Sequence, residues 1–237
     1  MSAETGTLYG LGVGPGDPDL LTIKAAKILN DVKIVYTASS TKNEYSLARN
    51  IASPHLKEGV EVENLEFPMT ADEATLAQAW KENAVKVAGF LKSGRDAAFL
   101  TLGDCLTYST YGYLLGSLST ILPEAKVVSV PGITSYQLAA SRLNRPLCLH
   151  KEALTVISGT DDDPSLSGLV DGSENLVIMK SYRGSDKVVK LLRDKGLANK
   201  TAVCCNLGLS DEFIIDGIDG ELPDKYSYFT LFLVNKR

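Results

Sequence analysis

Several things are scarce in this sequence of 237 residues, and each scarcity removes a class of function. Histidine occurs twice, and the four cysteines, Cys105, Cys148, Cys204 and Cys205, form no Cys-x-x-Cys pair. Neither His55 nor His150 stands in a ligand pattern, so no metal site is expected. Adjacent Cys204 and Cys205 lie in an apolar run, where free cysteine acts as a small hydrophobe. No apolar run approaches the roughly 20 residues of a membrane-spanning helix, and Met1 to Thr7 lacks the basic start and apolar core of a signal peptide. The expectation is a cytoplasmic protein with no membrane partner. Positive charge is the minority: 24 Lys and Arg stand against 29 Asp and Glu, a net charge of -5. Without a basic stripe there is no surface for a phosphate backbone, which argues against nucleic acid. No Ser-His-Asp or Cys-His arrangement stands out for covalent catalysis. Low-complexity tracts are missing, and the 44% apolar and 22% charged fractions are those of a folded protein with room for two modest domains.

What is present is one arrangement used three times: an apolar run, a glycine-bearing turn and a helix. Thr7 to Val13 reads as a strand, and Gly10, Gly12, Gly14 and Gly16 punctuate its end with Pro15 and Pro18 among them. Asp17 is a good N-cap for a helix with Pro18 at its first position and Leu20, Leu21, Ala25, Ile28 and Leu29 on one face. The spacing is not the dinucleotide fingerprint, because G-x-G-x-x-G begun at Gly10 meets Pro15 and begun at Gly12 meets Asp17. No Gly-Lys-Ser/Thr follows for a phosphate loop. An oxidoreductase with a nucleotide cofactor is therefore disfavoured, and a non-catalytic binding module is the remaining rival from another class.

The second instance is the run Ala97 to Leu102, ended by Gly103 and Asp104 and followed by a helix from Tyr108 to Ile121. In open α/β sheets ligands sit outside the carboxyl ends of strands, where Gly-Asp offers close backbone access and one carboxylate. Asp104 as a plain helix N-cap is the competing reading. The third is Ala125 to Val130, then Pro131-Gly132-Ile133-Thr134-Ser135, in which Thr134 or Ser135 caps the next helix. Between them lie strands at Val32 to Thr37 and Val60 to Phe67, and a long helix introduced by the capping box from Thr70 to Glu73 and closed by Gly94. The polar stretch from Ala38 to Arg49, with Ser39, Ser40, Lys42, Asn43 and Tyr45, is able to bind carboxylates or is simply solvated.

Alternation of strand and helix predicts a mostly parallel sheet whose loops converge at one edge. After Arg142-Leu143-Asn144-Arg145-Pro146 the pattern changes. Strands at Ala153 to Ser158, Asn175 to Lys180, Thr201 to Leu207, Glu212 to Asp216 and Tyr226 to Asn235 outnumber two helices, one beyond Pro164 and one from Ser185 to Lys195. The fold class is α/β in two domains, 1–145 with a mostly parallel sheet and 146–237 with a mixed one.

Gly12-Val13-Gly14-Pro15-Gly16-Asp17-Pro18-Asp19-Leu20-Leu21-Thr22, Gly103-Asp104 and Pro131-Gly132-Ile133-Thr134-Ser135 resemble, in order and spacing, the motifs of the tetrapyrrole (corrin/porphyrin) methyltransferases that use S-adenosyl-L-methionine. Tyr108-Ser109-Thr110 is similar to the branch that methylates C20 of precorrin-2 or cobalt-factor II in cobalamin synthesis. Other branches act on C11, C17 or uroporphyrinogen III. One departure is Cys105, where the family has proline, which makes the turn less rigid. The resemblance implies a homodimer of two-domain chains with the cofactor in the cleft between the domains. It implies cofactor contacts from Pro15, Gly103, Asp104, Tyr108, Thr134 and Ser135 in the first domain and from Met179, Asn206 and Leu207 in the second.

A sulfonium methyl is already activated, so such a protein has to align nucleophile, methyl carbon and sulfur and exclude water. Once a meso carbon is methylated a proton must leave, and Asp104 is the candidate acceptor, with a purely positional role as its rival. A tetrapyrrole carries several carboxylates, for which Lys42, Arg49, Arg142, Arg145 and Arg183 are the candidate partners.

Overall fold

Five strands of the first half lie side by side because their apolar side chains project from both faces. The computed structural model describes residues 4–39, 47–159 and 165–237. Thr7–Gly12 (β1), Ile34–Ser39 (β2), Glu61–Glu66 (β3), Ala97–Thr101 (β4) and Lys126–Val130 (β5) form a sheet in the order β3-β2-β4-β1-β5. Every pairing in it is parallel, as suits strands covered on both sides. Ile23–Asp31 (α1) and Leu47–Ala52 (α2) cover one face through Leu29 and Ile51, which pack with Leu11 and Leu100. Glu73–Leu91 (α3) and Tyr111–Ile121 (α4) cover the other through Val87, Leu91, Leu114 and Leu118, packed with Leu8 and Phe99. Trp80 of α3 lies flat on Tyr113 of α4, centroids 4.2 Å apart and planes within 2°. Gly10 lets α4 approach: a Cβ there would run into the ring of Tyr111, whose hydroxyl meets Ser129 Oγ at 3.2 Å.

Helix starts depart from the sequence reading at α1 and α3, and again at α4. Asp17 caps only a single 3-10 turn, Pro18–Leu20, after which Leu21 is extended and α1 begins anew with Thr22 Oγ1 accepting from the Ala25 N–H at 3.2 Å. At α3 the cap is Asp72, accepting from the Thr75 N–H at 2.9 Å, while Thr70 accepts from Asp72 itself.

The chain divides into two compact units, Met1–Thr134 and Ser135–Arg237. The division comes before Ser135–Arg142 (α5), which contacts the sheet of the second unit. That sheet contains Leu154–Ser158 (β6), Asn175–Met179 (β7), Thr201–Cys205 (β8), Phe213–Asp216 (β9) and Thr230–Asn235 (β10), in the order β6-β7-β10-β8-β9. β6 and β7 are parallel and the other pairings antiparallel, so the sheet is mixed as predicted. Leu166–Gly172 (α6) and Ser185–Asp194 (α7) bury Val170, Val188 and Leu192 against Ile178, Val203 and Phe232. Cys204 and Cys205 are fully buried in β8 as apolar filling. Among the described residues no helix is long and apolar enough to cross a membrane, and no group of three His, Cys, Asp or Glu side chains is placed to hold a metal.

Candidate functional site

At the carboxyl edge of the first sheet three distant motifs become one backbone junction. Just past two parallel strands, Gly103 donates its N–H to Gly14 O at 2.8 Å and Gly14 donates to Gly103 O at 3.2 Å, a local antiparallel bridge. Both residues have positive φ, +81° at Gly14 and +71° at Gly103, the region glycine enters without penalty. The loop after β5 closes on the same spot. A Cβ on Gly12 would lie 2.5 Å from Gly132 N and 2.6 Å from Gly103 O, and one on Gly132 would collide with that same oxygen. Gly103 differs from both, since a Cβ there meets nothing nearer than Ile133 O at 3.8 Å. Its Cα is thus less crowded than those of Gly12 and Gly132, and buried Pro15 and Thr134 stand in the adjoining loops.

Asp104 fastens this junction. Its Oδ2 accepts the Gly132 N–H at 3.1 Å, and its Oδ1 accepts the Leu106 N–H at 2.9 Å and the Thr107 hydroxyl at 3.0 Å. It does not cap α4, which begins only at Tyr111. Tyr108, expected in the helix, has φ +51° and is half exposed; a residue in the left-handed region cannot continue a right-handed helix. Cys105, standing where the resembled motif has proline, is buried and its Sγ donates to Val130 O at 3.3 Å. The thiol thus ties the loop to β5 by a hydrogen bond in place of a ring. Burial pushes its pKa up, with the charge of Asp104 adding to the shift.

In the second unit β7 and β8 both run antiparallel to β10, so Met179 and Cys205 finish at the edge where Thr230 begins. Met179, Asn206 and Leu207 therefore share one edge, and Ser135 Oγ reaches Met179 Sδ at 3.9 Å. Two non-glycine residues there have positive φ, Lys180 at +56° and Asn206 at +52°, and unusual backbone of this kind concentrates at working sites. Burial pushes the Lys180 amine pKa down. Asn206 donates to Asp211 Oδ2 at 2.7 Å and accepts from the Ser227 hydroxyl, while Leu207 is buried. The same edge carries a group of rings, Tyr182, Tyr228 and Phe229, that the sequence reading missed. Their positions share no periodicity, and only the pairing of β7 with β10 brings them together.

The cations expected to meet substrate carboxylates divide. Arg142 Nε lies 2.9 Å from Glu212 and Arg145 bridges both oxygens of Asp216 at 2.7 and 2.9 Å. Both arginines thus tie the end of α5 and the segment after it to the β9 region, and each already faces a carboxylate of this chain. Arg49 is exposed on α2 in the first unit, Arg183 is exposed in the second, and Lys42 lies outside the described residues.

The model of the family described as tetrapyrrole (corrin/porphyrin) methylases matches residues 7–223. A Salmonella typhimurium protein named cobalt-precorrin-2 C(20)-methyltransferase is 34% identical over 235 residues, spanning 98% of this chain and 97% of its own. A Sinorhizobium sp. protein named precorrin-2 C(20)-methyltransferase is 30% identical, spanning 97% and 95%. The solved cobalt precorrin-4 methyltransferase superposes with a TM-score of 0.73 at 21% identity, over 97% of this chain and 94% of that one. A Thermus thermophilus uroporphyrin-III C-methyltransferase complexed with S-adenyl homocysteine gives 0.68 at 19% identity, over 98% and 92%. These two structures share the fold.

Proposed function

Because this chain belongs to the tetrapyrrole (corrin/porphyrin) methylase family, we propose that it transfers a methyl group from S-adenosyl-L-methionine to C20 of precorrin-2 or its cobalt complex, a step in building the corrin ring of cobalamin. The observation that carries this reading is similarity along almost the whole chain to two proteins named for that reaction.

The cofactor, when bound, supplies an activated methyl group and leaves as S-adenosyl-L-homocysteine. What the chain must supply is alignment and a dry surface. In the first unit the proposed cofactor contacts are Pro15, Gly103, Asp104, Tyr108 and Thr134, and the junction that gathers their loops at the carboxyl edge of the sheet supports them. In the second unit they are Ser135, Met179, Asn206 and Leu207, supported by their common sheet edge. Asp104 first holds the Gly132 loop and its own loop in register. An ionised carboxylate offers about four lone-pair positions, and three are engaged. The fourth is the place where it would accept the proton that leaves C20 after the methyl arrives. Arg49 and Arg183 are the described cations retained for substrate carboxylates. The reading also carries a cytoplasmic homodimer, of which sedimentation of the purified protein tests the dimer.

The decisive experiment supplies S-adenosyl-L-methionine carrying a carbon-13 methyl, with precorrin-2 or its cobalt complex, and locates the label by NMR. Label at C20 is expected, and the faster substrate identifies the branch. Label at another carbon would overturn the position while leaving the methylation chemistry, and no transfer to either substrate would overturn the reading.

A further inference from the structure

We infer that Tyr182, Tyr228 and Phe229, with Arg183 beside them, form a platform on the second unit that receives one face of the carboxylated tetrapyrrole. This rests on the function proposed above and names part of the substrate site.

The platform stands on the edge that also holds Met179 and Asn206. Residue 180 donates its N–H to Thr230 O, and Asn206 donates its N–H to Phe229 O, which pins the segments bearing the three rings to the ends of β7 and β8. The Tyr182 and Tyr228 centroids are 5.3 Å apart at 64°, and those of Tyr228 and Phe229 are 5.3 Å apart at 82°. These are edge-to-face contacts, so the group is packed and not a set of loose side chains. Tyr228 nevertheless remains 42% exposed and Phe229 39% exposed. Adjacent half-exposed rings offer an apolar ligand a surface to pack on.

Charge identifies what covers it. The Arg183 guanidinium carbon lies over the Tyr182 ring, 5.3 Å from its centroid, so an apolar ligand with acidic groups at its rim would meet the exposed edges and faces of Tyr228 and Phe229 with a cation beside them. Arginine suits that rim because its fork binds a carboxylate through two N–H groups. Arg142 and Arg145 do not offer the same reception, since Glu212 and Asp216 already hold them. Arg183 has no carboxylate partner among the described residues. A polycarboxylated macrocycle satisfies both requirements at once. A second copy of this chain is the other occupant an exposed aromatic group allows, and it enters the test below.

The test titrates uroporphyrin, a flat polycarboxylated tetrapyrrole, by absorbance against wild type, Tyr228→Ala/Phe229→Ala, Arg183→Ala and Tyr228→Phe. Cofactor affinity is measured by calorimetry and oligomeric state by sedimentation on the same samples. The double variant and Arg183→Ala should each weaken tetrapyrrole binding about tenfold or more, Tyr228→Phe should stay near wild type, and cofactor affinity should move less than about twofold. Unchanged tetrapyrrole affinity in both the double variant and Arg183→Ala would overturn the inference. Parallel loss of cofactor affinity, or a shift in oligomeric state that accounts for the weakening, would also overturn it. Because the readout is binding, it stays interpretable even if the methyl proves to go to a carbon other than C20, an outcome that would remove only the positional assignment.

Discussion

The two sheets build the edges proposed to be functional from different materials. In the first unit the edge is main chain, where Gly12, Gly14, Gly103 and Gly132 touch backbone to backbone and Asp104 clamps them. In the second unit it is side chain, with Met179, Asn206, Tyr228 and their neighbours projecting from strand ends. Main chain is common to every sequence, so a junction made from it suits a ligand that does not change, as the proposed cofactor would be. Side chains can be exchanged without refolding the sheet. They suit whatever distinguishes one tetrapyrrole from another.

That contrast is most sharply tested by adding one methyl group to the junction. Gly132→Ala places a Cβ against Gly103 O and 2.7 Å from the Gly12 carbonyl carbon. It should cost several kcal/mol, about 3 or more, and abolish cofactor binding, as read by urea denaturation and calorimetry. Gly116→Ala, within α4 where a Cβ meets nothing within 4 Å, should instead stabilise by about 0.5–1 kcal/mol. Equal effects at the two glycines would break the comparison.

Asp104→Asn comes next in size. The amide cannot present acceptors to all three donors, and leaving a part-buried donor such as the Gly132 N–H unmet should cost about 1 kcal/mol. Weaker cofactor binding with kcat preserved at saturation assigns Asp104 to positioning, and kcat lost at unchanged cofactor affinity assigns it to the proton.

The core of the second unit yields a pH prediction. Burial, aided by neighbouring Cys205, pushes the Cys204 thiol up to about 12 from a model-peptide value of 9.0. Folding therefore favours the neutral thiol. This contribution is fully present below pH 9 and is lost as pH rises toward 12, by up to about 1.4 kcal/mol per pH unit. Urea melts of wild type and Cys204→Ala between pH 8 and pH 11 should converge as that contribution disappears; parallel curves would contradict it. The smallest effect belongs to the paired arginines. Arg142→Ala and Arg145→Ala each remove a partly exposed ion pair and should cost under about 1 kcal/mol, with the tetrapyrrole KM unchanged. A large KM change would return them to the substrate site.

Much of this was legible in the sequence because it rests on local rules. The alternating apolar runs and glycine turns specify a parallel sheet, and the later dense strands specify the mixed one. Gly103 and Gly132 stood out because each stands in a turn directly after an apolar run. Other features depend on the fold. Nothing local says that Tyr108 leaves the helix, because aromatic residues are compatible with either state, and the left-handed turn is imposed by the loop that Asp104 organises. Arg142 and Arg145 read as free cations since their acidic partners lie 70 and 71 residues away. The ring platform escaped notice for the same reason: strand pairing, which no short window contains, assembles it.

The stacking of Trp80 on Tyr113 has an optical consequence. Tryptophan occurs once in the chain, and this one lies in the first unit, with its indole face against a tyrosine on the neighbouring helix. Its emission is therefore a native reporter of α3 and α4 alone. Far-ultraviolet dichroism sums both units, so a denaturation followed by both signals compares the melting of the two halves without a label or a mutation.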